Sequence, residues 1–306
     1  MATRTRYASD RGLTSRMLVT MFLLGLVYVV FVGAFFVIVP KWGVIALVVA
    51  SLFLLAQYFF SDKLTLFAMH GRTVTAEEAP ELHGVIDRIC AMSDAPKPKV
   101  AIADTDVPNA FATGRNQKKA VVCVTTGLLR RLDPVELEGV LAHEMAHVAH
   151  KDVAVMTIAS FLGVCAGLIT RFGLEWGLWG GFNRRDNDQN TGMILLAVVA
   201  VSAVAYAISF MLTRALSRYR ELSADRAAAL LTGRPSALAS ALTKVTGEIA
   251  RIPTNDLRAA QPFNAFFFTP AFGKGFSISN LFSTHPPLDK RLAQLQKISD
   301  QLSRGV

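Results

Sequence analysis

The chain has 306 residues, of which 52% are hydrophobic and 18% are charged, and its formal net charge at pH 7 is +9. The apolar fraction exceeds the roughly 45–50% of soluble domains, which argues against an ordinary soluble protein. A positive charge can indicate nucleic-acid binding, but here the basic residues mostly flank apolar stretches, as they do in oriented membrane proteins. We therefore expect a membrane protein with no nucleic-acid partner.

Four stretches of the sequence carry no charged side chain: residues 17–39, 42–61, 153–170 and 189–213. Each has at least about 18 residues, which at 1.5 Å per residue crosses most of a hydrocarbon layer roughly 30 Å thick. We expect two helical hairpins in the lipid bilayer. The first stretch exceeds the roughly 7–15 residues of a signal-peptide core, so we interpret it as a retained anchor. The third stretch is rich in small residues, and a buried core hairpin is the alternative.

The N-terminal tail predicts how these spans are oriented. It is rich in arginine, and basic segments that flank a span stay in the cytoplasm. An even number of crossings returns residues 62–152 and 214–306 to the same side. Three arginines between the last two spans disagree with this assignment: Arg171, Arg184 and Arg185. We expect a multi-pass protein of the cell (inner) membrane whose soluble parts are cytoplasmic.

The soluble parts contain both helix and strand signals. Short apolar runs predict a small sheet, with strands near residues 100–103, 110–113 and 120–124. Apolar residues at helical spacing predict helices over residues 77–93, 219–232, 236–251 and 287–302. Apolar residues in 255–283 follow neither helical nor strand spacing, so we expect a loop there, over the cleft of the soluble parts.

The three cysteines lie far apart in the sequence and form no CxxC pair: Cys90, Cys123 and Cys165. Three cysteines cannot all pair in disulfides, and without CxxC spacing they do not form a thiolate zinc site. A reducing cytoplasm suits such isolated thiols.

The run His143-Glu144-Met145-Ala146-His147 is the most informative motif. Residues four apart share one face of a helix, about 6 Å apart along its axis, so both imidazoles can bind one tetrahedral zinc ion. Glu144 lies beside them and can reach a water on the metal without being a ligand. The preceding Asp133-Pro134-Val135-Glu136 predicts the start of a helix with a capping box. The alternative is a chance match of three ordinary residue types.

A zinc ion held by two histidines needs one more protein ligand and leaves its fourth position for water. His150 is poorly placed, about 4.5 Å beyond His147 along the axis, and the HExxHxxGxxH pattern of metzincins is absent. Glu221 and Asp225 are four apart on a later helix, so Glu221 could bind the metal while Asp225 hydrogen-bonds a ligand histidine. The alternative is a solvated helix start in which Glu221 pairs with Arg218.

Topology favours Glu221, because the two apolar stretches between it and His147 return the chain to the same side of the membrane. With these motifs the chain resembles, over essentially its whole length, the HtpX-type zinc metalloproteases, bacterial membrane gluzincins related to the CAAX prenyl endopeptidases. The resemblance is carried by the two hairpins, residues 109–114, His143 to His147 with Asp152, Arg220-Glu221 with Ala224-Asp225, and Thr284-His285-Pro286. His150, where a residue such as Asn is expected, and the loop at 255–283 depart from the family pattern.

The resemblance implies one zinc ion at His143, His147 and Glu221, with Glu144 as the catalytic carboxylate. It also implies that Asn109 and Ala110 belong to an edge strand that pairs with an extended substrate backbone. The alternative there is a turn after Pro108 followed by a buried Phe111.

For His285, similarity to related zinc proteases suggests a hydrogen-bond donor to the oxyanion. A residue that merely precedes the prolines of the last helix is the alternative. His70 and His83 have no partner at ligand spacing, so we assign them to surface or packing roles.

The fold class expected is α+β, mainly α, with two membrane hairpins and a zincin-like cytoplasmic catalytic domain. Its parts would be residues 1–61 (tail and first hairpin), 62–152 (sheet and HExxH helix), 153–213 (second hairpin) and 214–306 (third ligand).

The function expected is zinc-dependent cleavage of misfolded or unassembled membrane proteins in stress-related quality control, by Glu144-assisted attack of zinc-bound water on the peptide carbonyl. The rivals are a non-proteolytic scaffold or holdase with a structural or incidental histidine pair, and a structural zinc site with a fourth protein ligand.

Overall fold

The structure is a computed structural model that describes residues 10–38, 48, 51–52, 55–56, 59, 66–67, 69–114, 116–150, 155–156, 163, 165–171, 174–175, 189–249 and 285–304. The chain divides into two compact units. The first comprises Met1–Leu13, Phe60–Ala154 and Ser217–Val306, and the second comprises Thr14–Phe59 and Val155–Leu216.

A small mixed sheet lies in the first unit. Its strands are β1 (Gly71–Thr73), β2 (Lys99–Ala103), β3 (Ala110–Thr113) and β4 (Val121–Thr125), in the order β1-β2-β4-β3. β2 and β4 are parallel, and the other two pairs are antiparallel. The three predicted strands are confirmed to within one residue at each end. The prediction missed β1, because three residues are too few to carry an alternating pattern.

β3 is an edge strand of this sheet, and its register decides which main-chain groups point outward. Thr125 N–H donates to Asn109 O over 2.9 Å, so Asn109 and Thr125 form a hydrogen-bonded residue pair of the antiparallel ladder. Such pairs alternate along an antiparallel ladder. The N–H and C=O groups of Ala110 and Ala112, which pair with Val124 and Val122, therefore point away from β4.

The described helices are α1 (Arg11–Ile38), α2 (Pro80–Ser93), α3 (Thr126–Leu129), α4 (Pro134–Ala149), α5 (Gln189–Thr232), α6 (Pro235–Ile249) and α7 (Leu288–Ser303). The helices predicted near residues 77–93, 236–251 and 287–302 correspond to α2, α6 and α7, and residues 250–251 lie outside the described residues. The loop expected at 255–283 also lies outside them.

α4 begins where the sequence predicts it. Asp133 Oδ1 accepts hydrogen bonds from the N–H groups of Val135 and Glu136, and Glu136 Oε2 accepts one from Asp133 N–H. This reciprocal pair is the predicted capping box, and Pro134 occupies the first turn. α4 packs against α2, α6 and β3, so the first unit's core surrounds it.

α5 is one continuous helix of 44 residues. A separate helix beginning at residue 219 was the expectation, and it is wrong at its start. No Gly or Pro occurs between Met193 and Thr232, so nothing in the sequence interrupts the helix after the apolar stretch. The uncharged stretch ends at Thr213, and the helix continues through polar residues, of which those from Ser217 onward belong to the first unit.

Two helices of the described chain are long and apolar enough to cross a membrane, over Arg11–Ala34 in α1 and Gly192–Thr232 in α5. Both expose large apolar side chains, such as Phe22 at 71% and Met193 at 71%. Water would disfavour such surfaces, whereas lipid tails accept them. The other two predicted spans, residues 42–61 and 153–170, lie largely outside the described residues, so two complete hairpins stay a prediction.

Candidate metal centre

The two histidines of α4 point their ring nitrogens at one place. His143 is fully buried and His147 is 6% exposed. Their Nε2 atoms lie 3.2 Å apart. The capping box fixes where α4 begins, and its packing against the sheet and α6 fixes its rotation. One turn of helix therefore presents both imidazoles on the same face.

Glu221 of α5 brings a carboxylate to these imidazoles. Its Oε2 lies 3.5 Å from His143 Nε2, and its Oε1 lies 3.4 Å from His147 Nε2. Ligand atoms that bind a tetrahedral ion at about 2.0–2.1 Å lie about 3.3–3.4 Å from one another. The two histidine nitrogens are close to this edge length, and each also lies within 3.5 Å of one Glu221 oxygen. The three side chains therefore form a group that could hold a metal ion.

Asp225 lies one helical turn after Glu221 and is fully buried. Its Oδ1 is 2.9 Å from His143 Nδ1. A carboxylate at Nδ1 favours the tautomer that carries its proton there, which leaves the Nε2 lone pair for a metal. His147 differs, because its Nδ1 lies 3.5 Å from Arg220 Nη2.

Glu144 lies between the two histidines in the sequence and is 6% exposed. Its Oε2 accepts a hydrogen bond from the N–H of Ala112 in the edge strand β3, over 3.1 Å. Burial raises the pKa of Glu144 above its ordinary value, although the neighbouring imidazoles of His143 and His147 oppose this shift. The carboxylate therefore binds a proton more readily than an exposed glutamate does.

Glu221 shows the opposite shift. Burial alone would raise its pKa, but the imidazoles of His285, His143 and His147 outweigh burial and hold the pKa of Glu221 well below its usual range. Glu221 is thus poised as a carboxylate, the form that binds metal.

Arg291 of α7 is a residue of this centre that the sequence analysis missed. It is 1% exposed. Its Nε and Nη2 donate to Asp225 Oδ2 and Oδ1 over 2.7 and 2.6 Å. Burial alone would raise the pKa of Asp225, but this guanidinium outweighs it and holds that pKa below its usual range. The available signal was a charged residue on the apolar face that Leu295 and Ile298 define.

The other histidines take different positions. His285 Nδ1 lies 3.1 Å from Glu221 Oε2, so His285 adjoins the cluster. His150 is the C-cap of α4 and is not one of the three clustered residues. His70 is exposed in the turn before β1, and His83 Nε2 lies 3.1 Å from Val74 O, so both lie apart from it.

Asn109 and Ala110 stand at the start of β3 and are buried. The main chain of Asn109 is bound to Thr125, whose Oγ1 accepts from Asn109 N–H over 2.9 Å. Phe111 is 2% exposed and packs in the core beside Val121 and Cys123. The strand reaches the centre through the bond from Ala112 to Glu144.

Two imidazoles one turn apart, a carboxylate from a second helix and a further carboxylate beside them are the groups expected in a metallopeptidase centre. The family model described as "Peptidase family M48" matches residues 76–299. The chain belongs to this family and is an HtpX-type metalloprotease, a metalloendopeptidase that is also a membrane protein.

Two relatives illustrate this membership. "Protease HtpX homolog 1" of Streptomyces coelicolor is 64% identical and aligns over 99% of this chain and 98% of its own length. "Protease HtpX homolog 2" of Methanosarcina mazei is 51% identical over 98% of this chain and 100% of its own. Among solved structures, the crystal structure of S. mikatae Ste24p matches with a TM-score of 0.51 and 17% identity, over 95% of this chain and 68% of that one. This last similarity concerns the fold alone.

Proposed function

We propose that the protein is a zinc-dependent endopeptidase that cleaves misfolded or unassembled membrane proteins at the cytoplasmic face of the cell membrane. One observation carries this proposal: α5 runs without a break from an apolar stretch to Glu221. Glu221 lies eight positions after Thr213, a rise of about 12 Å along the helix. A site so close to the end of an apolar span suits substrates that emerge from the bilayer.

Zinc is the metal that we assign to His143, His147 and Glu221. Two imidazoles and one carboxylate are a donor set typical of catalytic zinc, which keeps one position open. A structural zinc site would need a fourth protein ligand, and the cluster in the described part of the chain has three. When bound, zinc supplies Lewis acidity, which lowers the pKa of water and polarises a carbonyl group.

Glu144 is the residue that we assign to proton transfer. Its carboxylate adjoins the ligand pair and, because burial raises its pKa, it can take a proton from the attacking water. It then holds that proton within reach of the amine that leaves the cleaved bond. Its hydrogen bond from Ala112 fixes one carboxylate oxygen and leaves the other for this exchange.

The edge strand β3 is where we expect the substrate backbone to bind. By register, the N–H and C=O of Ala110 and the C=O of Ala112 point away from β4. An extended peptide can pair with these groups as an added strand, which brings its backbone alongside Glu144. Asn109 and Ala110 would define the start of this pairing. His285, which adjoins Glu221, is the residue that we propose as the oxyanion donor.

The test is the variant Glu144→Gln, assayed for cleavage of an unfolded membrane-protein reporter in detergent. An amide cannot accept the proton, so we expect hydrolysis to fall by at least about a hundredfold while zinc stays bound. Glu138→Gln is the matched control, because Glu138 is also a buried carboxylate of α4 but pairs with Arg88. Unchanged turnover of Glu144→Gln would refute the role of this carboxylate.

A further inference from the structure

We propose that Arg291 is a positioning residue of the metal centre, which orients the His143 ligand through Asp225. The inference rests on the proposed zinc site. Arg291 stands on the C-terminal helix α7, 66 residues beyond Asp225 in the sequence. Its contacts in this centre include the side chains of Asp225 and Glu221, and we infer that its effect on the metal passes through them.

The contact between Arg291 and Asp225 is a two-bond pair. Nε donates to Oδ2 over 2.7 Å and Nη2 donates to Oδ1 over 2.6 Å, and both side chains are fully buried. Two parallel bonds to a planar guanidinium fix the plane of the carboxylate as well as its position. Asp225 therefore has one orientation rather than a range of them.

That orientation passes to the ligand histidine. Oδ1, which accepts from Arg291 Nη2, is also the atom 2.9 Å from His143 Nδ1. A ring whose Nδ1 is held in this way directs Nε2 toward the metal position, where a small rotation would move the lone pair off the ion. Arg291, Asp225 and His143 thus form a chain that ends at the metal.

Arg291 also bears on Glu221. Its Nη1 lies 3.8 Å from Glu221 Oε2. Two carboxylates four residues apart on one helix face repel each other, and a shared guanidinium offsets this repulsion. Glu221 and Asp225 can then both face the interior as anions.

The segment around Arg291 contacts three positions of α5. His285 Nδ1 meets Glu221, Gln294 Nε2 donates to Leu222 O over 2.7 Å, and Arg291 binds Asp225. These contacts lie along one helical turn, so they oppose rotation of α5 about its axis. The C-terminal segment is in this way part of the metal centre and not an appendage to it.

The experiment measures zinc affinity, by competition with a chromophoric chelator in detergent, for the wild type, Arg291→Met, Asp225→Asn and the double variant. We expect each single variant to bind zinc about 10–100-fold more weakly. Arg291 and Asp225 act through one chain of contacts. The double variant should therefore bind zinc no more weakly than whichever single variant has the lower zinc affinity. Arg291→Lys keeps the charge but loses the parallel bonds, so its affinity should lie between those of the wild type and Arg291→Met.

Arg88→Met is the matched control, because Arg88 also pairs with a buried carboxylate, that of Glu138, outside the centre. It should bind zinc as the wild type does. Wild-type affinity in Arg291→Met, or a double variant whose loss is the product of the two single losses, would overturn the positioning role. If Arg291→Met does not fold, wild-type zinc affinity in Arg291→Lys overturns it equally. Failure of the wild type to bind one zinc ion would instead overturn the proposed site, and this inference with it.

Discussion

The two halves of the candidate metal centre are built by different means. The α4 half supplies His143, Glu144 and His147 within five consecutive residues, on a helix whose start a capping box fixes and whose sides lie in the core. The other half comes from α5 and α7, which meet through buried charges: Glu221, Asp225 and Arg291. Local structure therefore sets the first half, and long-range ion pairing sets the second.

This difference predicts which substitutions should affect each half of the centre. Buried ion pairs are costly to desolvate, and removing one partner leaves an uncompensated charge. The α5 and α7 half should respond strongly to changes of charge and metal. The α4 half should respond to changes that weaken its helix, because no charged contact outside α4 is needed to bring its two imidazoles together.

The largest expected effect is that of Glu221→Ala. Loss of a ligand should exceed the roughly 10–100-fold cost of losing a residue behind a ligand, so zinc affinity should fall by more than about a hundredfold. Zinc content of the purified protein is the readout. Glu248→Ala is the control, because Glu248 is a half-buried carboxylate of the same unit that pairs with Arg131. Full zinc occupancy in Glu221→Ala would mean that the second half contributes no ligand.

A smaller effect is expected for Asp133→Ala, which removes the capping box of α4. The free energy of unfolding should fall by about 1 kcal/mol, measured by chemical denaturation in detergent. Zinc affinity should stay within a few-fold of the wild type, since the histidines lie more than two turns from the cap. A loss of zinc as large as that of Glu221→Ala would contradict the view that the core holds this half in place.

The smallest effect is expected for Lys244→Met, on the face where α6 meets α4. Burial alone would raise the pKa of Glu136, but hydrogen bonds from Lys244 and Ser240 outweigh it and lower that pKa. A depressed pKa stabilises the fold above the ordinary glutamate value, and this contribution is lost as the pH falls through the folded-state pKa.

Wild type and Lys244→Met should therefore differ slightly in melting temperature at pH 7, by less than wild type and Asp133→Ala do. This difference should shrink as the pH falls below the ordinary glutamate pKa of about 4.3, and it should disappear below the folded-state pKa of Glu136. The difference is small because the Lys244 side chain is half-exposed and screened by solvent. A difference that grows on acidification would show that the pair does not act as described.

Much of the α4 half could be predicted from the sequence, because its signals are local. Asp133, Pro134 and Glu136 mark the helix start, and the spacing of His143 and His147 follows from helix geometry. Strands β2, β3 and β4 carried enough apolar residues to be found. The order of the sheet could not be predicted, because pairing between strands depends on contacts distant in sequence.

The second half needed more than local pattern. Glu221 and Asp225 stood out as two carboxylates on one helix face, and the count of apolar stretches allowed them to meet α4. The sequence did not predict a role for Arg291, because an arginine among leucines usually extends its aliphatic chain along the apolar surface and keeps its guanidinium in water. Only the fold reveals that Asp225 lies opposite it. The continuity of α5 was not predicted but could have been, because no Gly or Pro follows Gly192 until Gly233.

X-ray absorption spectroscopy of the zinc-loaded protein in detergent tests the shared centre most directly. We predict one zinc ion with two imidazole nitrogens, one carboxylate oxygen from Glu221 and a further oxygen that is not from the protein. In Glu221→Ala, whatever zinc remains should lack the carboxylate contribution. Sulfur in the coordination shell, or an unchanged spectrum at full zinc content in Glu221→Ala, would contradict a centre made of His143, His147 and Glu221.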